Sequence, residues 1–307
     1  MKVKVFAPAT VANVAVGFDI LGFAVNGIGD IIEMEINNTK DVIILSADGV
    51  ATIPTNPKEN TATIGLLKLI KDKKLDFGFS LSIHKGIPMG SGLGGSAASA
   101  VGAIWAANLL LDIKLTQAEL LDYALAGEAF ASGSTHADNV APCLFGGLNL
   151  IDSDNEIIAI PYPKELICVL VKPSISINTK DARKILSDTL SLKSHIRQSA
   201  NLAKFILGCT SNNLDLIGKS LHDVIIEPQR SKLIPHFNEV KNSALLNGSL
   251  GCSISGSGPT IFAFARSNAD ALKIKSSMEK VFNDQQIKTE SWISFISKKG
   301  VTTLEIS

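Results

Sequence analysis

The residues best suited to chemistry in this chain form a glycine-rich segment, 85–99, which reads KGIPMGSGLGGSAAS. The preceding residues 79–84 alternate apolar and polar side chains, as a half-buried strand does. The following stretch 96–111 is rich in alanine and leucine and is typical of a buried helix. A glycine loop between a strand and a helix presents backbone N–H groups and the positive end of a helix dipole at one point. The segment therefore predicts a phosphate-binding loop.

Two common nucleotide-binding loops do not fit this segment. Gly90 and Gly95 have the spacing of a Walker A motif, but Ser96 follows directly and the required lysine is absent. The pattern G-x-G-x-x-G matches at Gly90, Gly92 and Gly95, yet the dinucleotide fingerprint also needs an acidic residue at the end of a second strand. Asp112 has a suitable distance but lies between two predicted helices. A purely structural glycine turn remains an alternative at this point.

Composition excludes several classes of partner. The chain has 307 residues, of which 46% are hydrophobic and 19% charged, enough apolar residues for a sizeable core. Lys and Arg together number 29, as do Asp and Glu, so the formal net charge is zero. A neutral chain has no overall electrostatic attraction for nucleic acid or for an anionic membrane. We therefore expect neither partner, and any bound anion must be held by local groups.

The cysteines and the N-terminus bear on the compartment. The four cysteines, Cys143, Cys168, Cys209 and Cys252, are far apart and form no C-x-x-C pair, which predicts reduced, buried thiols. Residues 1–8 alternate as a strand does and do not resemble a signal peptide. No apolar run approaches the length of a membrane span. These observations predict a cytoplasmic protein.

The pattern of elements predicts two α+β domains, residues 1–155 and 156–307. Strand patterns occupy much of the first third, and helices are predicted around the glycine segment and after it. The polar stretch 152–155 marks a hairpin or a boundary. Beyond it, the order strand–helix–helix–strand–helix–strand predicts a ferredoxin-like second half.

Three segments together resemble the signature motifs of the GHMP small-molecule kinases. They are residues 7–22 (APATVANVAVGFDILG), the glycine segment, and residues 254–260 (ISGSGPT). The match keeps the order and spacing of those motifs over nearly the whole chain. The resemblance implies a two-domain fold in which residues 1–155 form a ribosomal-protein-S5-domain-2-like domain and residues 156–307 a ferredoxin-like domain.

Finer detail is similar to the homoserine kinase branch. The segments 134–142 (STHADNVAP), 178–183 (NTKDAR) and 227–230 (EPQR) carry this similarity, together with Asn13 and residues 17–19 (GFD). The resemblance implies ATP-dependent phosphorylation of the side-chain hydroxyl of L-homoserine to O-phospho-L-homoserine, a step of threonine biosynthesis. Two alternatives stay open: a GHMP kinase acting on another substrate, such as shikimate or mevalonate, and a non-catalytic nucleotide-binding regulator of the same fold.

The resemblance also implies a nucleotide site. The glycine segment departs from the usual G-L-G-S-S, because Gly95 replaces the first serine. Mg²⁺ would be held by Ser96 and Glu128, since this ion takes oxygen ligands and few of them from protein; for Glu128 the alternative is a solvated surface glutamate. The implied ATP-binding residues are Pro88, Met89, Gly90, Ser91, Gly92, Leu93, Gly94, Gly95, Ser96, Ala97 and Ala98.

An amino acid substrate needs partners for both of its backbone charges. Arg183 and Arg230 would bind the carboxylate, because a guanidinium binds a carboxylate through two hydrogen bonds. Asp19 would bind the ammonium group. The full set of implied substrate-binding residues is Asn13, Asp19, His136, Asn139, Arg183 and Arg230.

The catalytic residues implied are Asn139, Asp138 and Glu128. Phosphoryl transfer depends chiefly on positioning and charge neutralisation, so a general base is not obligatory. Asp138 is the nearest carboxylate, whereas Asn139 would position the substrate and its amide cannot act as a base. The choice between these roles stays open, and the resemblance also allows a homodimer.

Overall fold

Two β-sheets organise the chain in a computed structural model that describes residues 1–133 and 136–307. The strands are β1 (Lys2–Ala12), β2 (Leu21–Asn37), β3 (Val42–Gly49), β4 (Gly78–Lys85), β5 (Leu148–Ile151), β6 (Ile157–Ile160), β7 (Ile167–Pro173), β8 (Gly251–Ile254), β9 (Ile261–Ala265), β10 (Thr289–Phe295) and β11 (Thr302–Ile306). The motif residues Ser134 and Thr135 lie outside the described part of the chain.

Helices pack against both sheets. They are α1 (Thr61–Lys73), α2 (Gly95–Leu110), α3 (Gln117–Ser132), α4 (Val140–Phe145), α5 (Thr179–Lys184), α6 (Leu192–Thr210), α7 (Leu214–Ser220), α8 (Glu227–Arg230), α9 (Phe237–Leu246) and α10 (Asn268–Asp284), with a 3₁₀ turn at Ser231–Leu233. Helix α2 packs against β1 and β2 of the first sheet, and α10 packs against β7 and β9 of the second. Across the described ranges, 1–133 and 136–307, none of these helices is long and apolar enough to cross a membrane.

The first sheet has the order β11-β1-β2-β4-β3, and the hairpin β5–β6 joins it through β2. Strand β11 is not predicted from the sequence, because its partner β1 lies at the opposite end of the chain and leaves no local signal. Strands β6 and β11 both follow residue 155 yet belong to this sheet. The division into 1–155 and 156–307 stays a prediction about domains and does not describe sheet membership.

Helix α2 lies on the first sheet and carries the glycine segment at its start. It is apolar on all sides, as expected for a helix enclosed by protein, and it packs between α1, α3 and the strands β1 and β2. At Gly102 a Cβ atom would come within 2.8 Å of Ile32 Cγ1 on β2. The absence of a side chain at this position therefore lets the helix lie directly on the strand.

The second sheet has the order β10-β7-β9-β8 with antiparallel pairing throughout. In sequence order these are its fourth, first, third and second strands, the ferredoxin-like arrangement that the sequence predicts. The structure also agrees with the prediction of unpaired, buried cysteines, because all four thiols are free and buried.

Aromatic side chains join the two sheets. The Phe23 ring of β2 lies 6.4 Å from that of Phe262 and 5.6 Å from that of Phe264, both on β9. All three rings are fully buried. This contact places the end of β1 and the loop before β9 on either side of the glycine segment.

Candidate active site

The glycine segment forms a loop between β4 and α2 that passes repeatedly through left-handed backbone. The φ angles of Gly90, Gly92 and Gly94 are 59°, 77° and 67°, a region that residues with a Cβ atom seldom adopt. Helix α2 begins at the next residue, Gly95, so the unpaired N–H groups of its first turn directly follow the loop. The strand–loop–helix context predicted from the sequence is therefore present.

Carbonyl groups of the loop are tied to both halves of the molecule. The Thr10 N–H on β1 donates to the Leu93 carbonyl at 3.1 Å. The Ser255 hydroxyl, from the loop before β9, donates to the Gly92 carbonyl at 2.7 Å. These bonds fix the loop backbone through its carbonyl groups. They do not involve the N–H groups of the loop, which stay available to a ligand.

The N–H groups of Gly90, Gly92 and Gly94 have no protein acceptor within residues 1–133 and 136–307. Successive unpaired amides beside a helix N-terminus are the arrangement that binds a phosphate group. The loop therefore has the donor set that the ATP interpretation requires.

A buried ion pair between β2 and β4 stabilises the glycine loop. Lys85 is 3% exposed and Asp30 is fully buried, and their side chains pair directly. The Lys85 ammonium also donates to the Gly95 carbonyl and to the Ser99 hydroxyl, each at 2.8 Å. The other Asp30 oxygen accepts the Gly86 N–H at 3.1 Å. One charge pair thus holds both the start of the loop and the first turn of α2.

Ser96 and Glu128 meet at the N-terminus of α2. The Ser96 hydroxyl donates to Glu128 Oε2 at 2.5 Å. Glu128 is only 8% exposed, so the alternative of a solvated surface glutamate is wrong. The described residues contain no group of three or more His, Cys, Asp or Glu side chains that could hold a metal ion. One hydroxyl and one carboxylate fit Mg²⁺, which takes most of its ligands from phosphate and water.

A cleft of about 690 Å³ lies over the loop, a size that accommodates a nucleotide. Of the predicted ATP-binding residues, Leu93, Ala97 and Ala98 are fully buried and do not line it. The predicted residues that do line it are Pro88, Met89, Gly90, Ser91, Gly92, Gly94, Gly95 and Ser96, together with Glu128 and Asn139. Residues 176–180 and 256–257 close the opposite side.

The segment after β1 is strained at four non-glycine positions. Asn13, Val14, Ala15 and Asp19 have φ angles of 70°, 44°, 60° and 63°. The Asn13 side chain holds this turn, since its oxygen accepts the Asp19 N–H at 3.0 Å and its nitrogen donates to the Gly256 carbonyl at 2.9 Å. Such backbone is costly and is found chiefly where function requires it. Here it presents the Asp19 carboxylate to the second half of the molecule.

Asp19 pairs with two of the other predicted substrate-binding residues. Arg183 Nη2 and Nη1 donate to the two Asp19 oxygens at 2.7 and 3.0 Å. His136 Nε2 lies 3.3 Å from Asp19 Oδ2. Burial lowers the pKa of His136 from 6.5, and Asp19 only partly opposes this effect. The carboxylate and the guanidinium expected to bind opposite ends of a substrate therefore bind each other in this structure.

Arg230 completes the cationic side of this cluster. It is 3% exposed, and it donates from Nη1 to the Gly256 carbonyl at 2.9 Å and from Nε to the Ala182 carbonyl at 3.2 Å. The Phe18 ring lies 5.0 Å from the Arg230 guanidinium and 5.2 Å from that of Arg183. Burial, and then the Arg183 charge, lower the pKa of Arg230 to about 10. The Arg230 guanidinium is therefore charged at neutral pH.

Asp138 and Asn139 lie between the two groups of residues. The Thr10 hydroxyl donates to Asn139 Oδ1 at 2.7 Å, which fixes the amide at the edge of the cleft. Asp138 is 6% exposed, and burial raises its pKa from 3.8 to about 7. The Asp19 and Glu128 carboxylates contribute to this rise. Asp138 thus interacts with both the predicted substrate site and the predicted metal site.

Comparisons with known proteins agree with this geometry. Residues 61–147 match the model of the GHMP kinases N terminal domain, and residues 201–284 match that of the GHMP kinases C terminal domain. A homoserine kinase of Chlorobium phaeobacteroides (strain BS1) is 40% identical over 315 residues, which cover 97% of this chain and 98% of that protein. One of Xylella fastidiosa (strain M12) is 39% identical and covers 99% and 94%.

The chain belongs to the homoserine kinase family. A crystal structure of homoserine kinase from Cytophaga hutchinsonii ATCC 33406 superposes with a TM-score of 0.94, at 42% identity and with 99% and 97% of the two chains covered. The predicted family and the α+β GHMP kinase fold class are thereby confirmed. The residue roles stay predictions.

Two features of this candidate site are missed from the sequence. One is the Lys85–Asp30 pair, although an aspartate among the apolar residues of β2 is a recognisable signal, because such a charge is seldom buried without a partner. The other is the contact of Phe18 with two arginines. No local pattern indicates it, because Arg183 and Arg230 come from distant helices.

The geometry predicts that Gly94→Ala disables this candidate site. The new Cβ atom would lie 2.1 Å from Thr10 Oγ1 and 2.8 Å from Asn139 Oδ1. Because it displaces Asn139 as well as the loop, we expect kcat/KM for ATP to fall about 10²-fold. The matched control is Gly248→Ala, also at positive φ (94°) but with no atom within 4 Å of the added Cβ. Equal activity of the two variants in steady-state assays would contradict this prediction.

Proposed function

We propose that this protein phosphorylates the side-chain hydroxyl of L-homoserine with ATP, giving O-phospho-L-homoserine and ADP in threonine biosynthesis. The observation that carries the proposal is the close placement of two complementary sites. A loop with unpaired amides lies beside Ser96 and Glu128. A cluster with a carboxylate and two guanidinium groups lies next to it, because Gly256, which lines the cleft, accepts hydrogen bonds from Asn13 and Arg230. The first suits a nucleotide with Mg²⁺, and the second suits an amino acid with two opposite charges.

The nucleotide side is formed by groups that need not move. The amides of the loop hold the phosphates, and Ser96 and Glu128 hold Mg²⁺. When bound, Mg²⁺ neutralises charge on the phosphates and fixes their orientation. Because the loop carbonyls are already bonded to Thr10 and Ser255, its donors are oriented before ATP arrives.

On the substrate side, Arg183 and Arg230 bind the carboxylate of homoserine and Asp19 binds its ammonium group. Asn13 and His136 support this site by fixing Asp19, since each contacts it directly. Asn139 orients the hydroxyl group toward the cleft. The charges of the cluster thus select an amino acid over a neutral alcohol of the same length.

The transfer is an in-line displacement. The homoserine hydroxyl oxygen forms a bond to the γ-phosphorus, and the bond from that phosphorus to the bridging oxygen of ADP breaks with its electron pair. Asp138 accepts the hydroxyl proton. Its raised pKa of about 7 supports this role, because a carboxyl group with this pKa takes up and releases a proton near neutral pH.

A coupled assay of ADP release tests the proposal. With ATP and Mg²⁺, we expect turnover with L-homoserine and phosphorus NMR signals of O-phosphohomoserine. L-threonine, L-serine, mevalonate and shikimate, tested in parallel, separate this activity from that of other GHMP kinases. Absence of homoserine-dependent ADP release would refute the proposal. The use of Mg²⁺, a cytoplasmic location and a homodimer are parts of it that remain predictions.

A further inference from the structure

The phosphate loop of this protein has no lysine of its own. In P-loop enzymes a lysine next to the glycine loop neutralises the terminal phosphates. Here Ser96 follows Gly95 directly. A triphosphate nevertheless concentrates negative charge, and this charge shifts during transfer. We therefore expect a basic side chain from elsewhere in the chain to neutralise part of the triphosphate charge in the cleft.

Lys85 lines the cleft but cannot provide this cation. An ammonium group has three N–H donors. In Lys85 they go to Asp30, to the Gly95 carbonyl and to the Ser99 hydroxyl. The side chain is 3% exposed, and its charge is compensated by a buried carboxylate. No donor remains for a phosphate oxygen.

Lys180 has the opposite properties. It is the second residue of α5, is exposed, and lines the same cleft as the glycine loop, Ser96 and Glu128, but from the opposite side. Its Cε lies 3.5 Å from the Cβ position of Gly133, just beyond the end of α3, which carries Glu128. The side chain thus extends across the cleft from the second half of the molecule to the first.

The Lys180 ammonium is uncommitted. Within residues 1–133 and 136–307 it forms no ion pair and no hydrogen bond. Lys184, one turn further along α5, pairs with Asp181 at 3.1 Å. The backbone that carries Lys180 is nevertheless fixed, because its N–H donates to the Asn178 side chain at 2.8 Å. A fixed backbone with a free charge is suited to an anion that is present only during turnover.

We propose that Lys180 is a catalytic residue whose ammonium group donates to the γ-phosphoryl oxygens of ATP, an inference that rests on the proposed kinase function. It takes the place of the absent loop lysine, but approaches from the ferredoxin-like half. As the bond to the ADP oxygen breaks and the bond to the homoserine oxygen forms, Lys180 neutralises the charge on the group in transit. It transfers no proton, so the balance of the reaction is unchanged.

The test compares Lys180→Met with Lys184→Met. Loss of one fixed donor to a transition state commonly lowers kcat by about 10²-fold. We expect such a fall for Lys180→Met, with KM for homoserine unchanged, and partial recovery in Lys180→Arg. Lys184→Met should match the wild type, because its ammonium lies away from the cleft and binds only Asp181.

The KM of homoserine distinguishes catalysis from a structural effect. Arg183 lies on the same helix, so a variant that merely disturbed α5 would raise KM for homoserine. That result, or a kcat equal to that of Lys184→Met, would overturn the assignment of Lys180. Lys180→Gln, a polar replacement without charge, is assayed beside Lys180→Met. For it too, we expect kcat to fall and KM for homoserine to stay unchanged. Absence of homoserine-dependent turnover in the wild type would instead refute the proposed function.

Discussion

Replacing Asp138 by Asn is expected to lower kcat about 10²–10³-fold and at the same time to make the folded protein more stable. The first effect follows from the proposed role as proton acceptor, because an amide cannot take up the hydroxyl proton. In the wild type, kcat should rise with pH through about 7, the pKa of Asp138, as the carboxylate form accumulates. In Asp138→Asn this rise should be absent.

The second effect follows from the same pKa. The carboxyl group of Asp138 has a pKa of about 7 in the folded protein and an ordinary value of 3.8. Between these values the unfolded chain releases this proton first, so the free energy of unfolding falls as pH rises, and the loss is complete above the folded pKa. At pH 8 the charged carboxylate thus costs about 2–4 kcal/mol, a cost that the neutral amide of the variant does not carry.

Thermal unfolding of both proteins between pH 4 and pH 8 measures this cost. The stability difference should be largest at pH 8 and shrink toward pH 4, where both side chains are neutral in the folded protein. Asp154→Asn, on the exposed β5–β6 hairpin, is the control and should show neither effect. A pH-independent difference would contradict the raised pKa. If Asp138→Asn keeps its kcat while Asn139→Ala loses it, positioning by Asn139 suffices and Asp138 is not the base.

The part of the site that could be predicted from the sequence is the part encoded locally. The turn of the loop requires glycine at Gly90, Gly92 and Gly94, and the neighbouring strand and helix are visible in the same short segment. Other local signals, such as the capping box of Thr116 and Glu119, have the same origin. Each depends on residues only a few positions apart, so the sequence pattern is sufficient.

Contacts between distant residues could not be predicted in this way. Lys85 and Asp30 face each other because β2 and β4 pair in one particular register, which no periodicity specifies. Strand β11 joins β1 across nearly the whole chain. The resemblance to a family assigns Asp19 and Arg183 to one site, but only the folded structure reveals that they pair with each other.

This pairing has a consequence for substrate selection. In the structure, Asp19 and Arg183 neutralise each other through two hydrogen bonds. A substrate with both an ammonium and a carboxylate group replaces both partners at once and leaves neither charge unpaired. A substrate with a single charge separates the pair but compensates only one side of it. Unpaired charges in a partly buried site are costly, so the cluster favours a zwitterion.

We therefore expect Asp19→Asn to change selectivity rather than simply to lower activity. Asn adopts the left-handed backbone at this position (φ 63°) more readily than most residues, so the turn should persist. L-homoserine loses the partner of its ammonium group, and its KM should rise about 10–100-fold, as for a lost charged hydrogen bond. For 4-hydroxybutyrate, which has the hydroxyl and carboxylate but no ammonium group, KM should fall, because Arg183 is released from Asp19.

Steady-state kinetics with both substrates distinguish two roles of Asp19. If Asp19 binds the ammonium group, the ratio of kcat/KM for homoserine to that for 4-hydroxybutyrate falls in the variant. If Asp19 serves only to orient Arg183, both substrates lose the same carboxylate contact and the ratio is unchanged, which would disprove the proposed ammonium site. Asp181→Asn is the matched control, because it also removes a carboxylate that pairs with a basic residue of α5, Lys184, but outside the cleft. If this ratio of kcat/KM values changes in Asp19→Asn but not in Asp181→Asn, the change is due to the lost contact with the substrate's ammonium group.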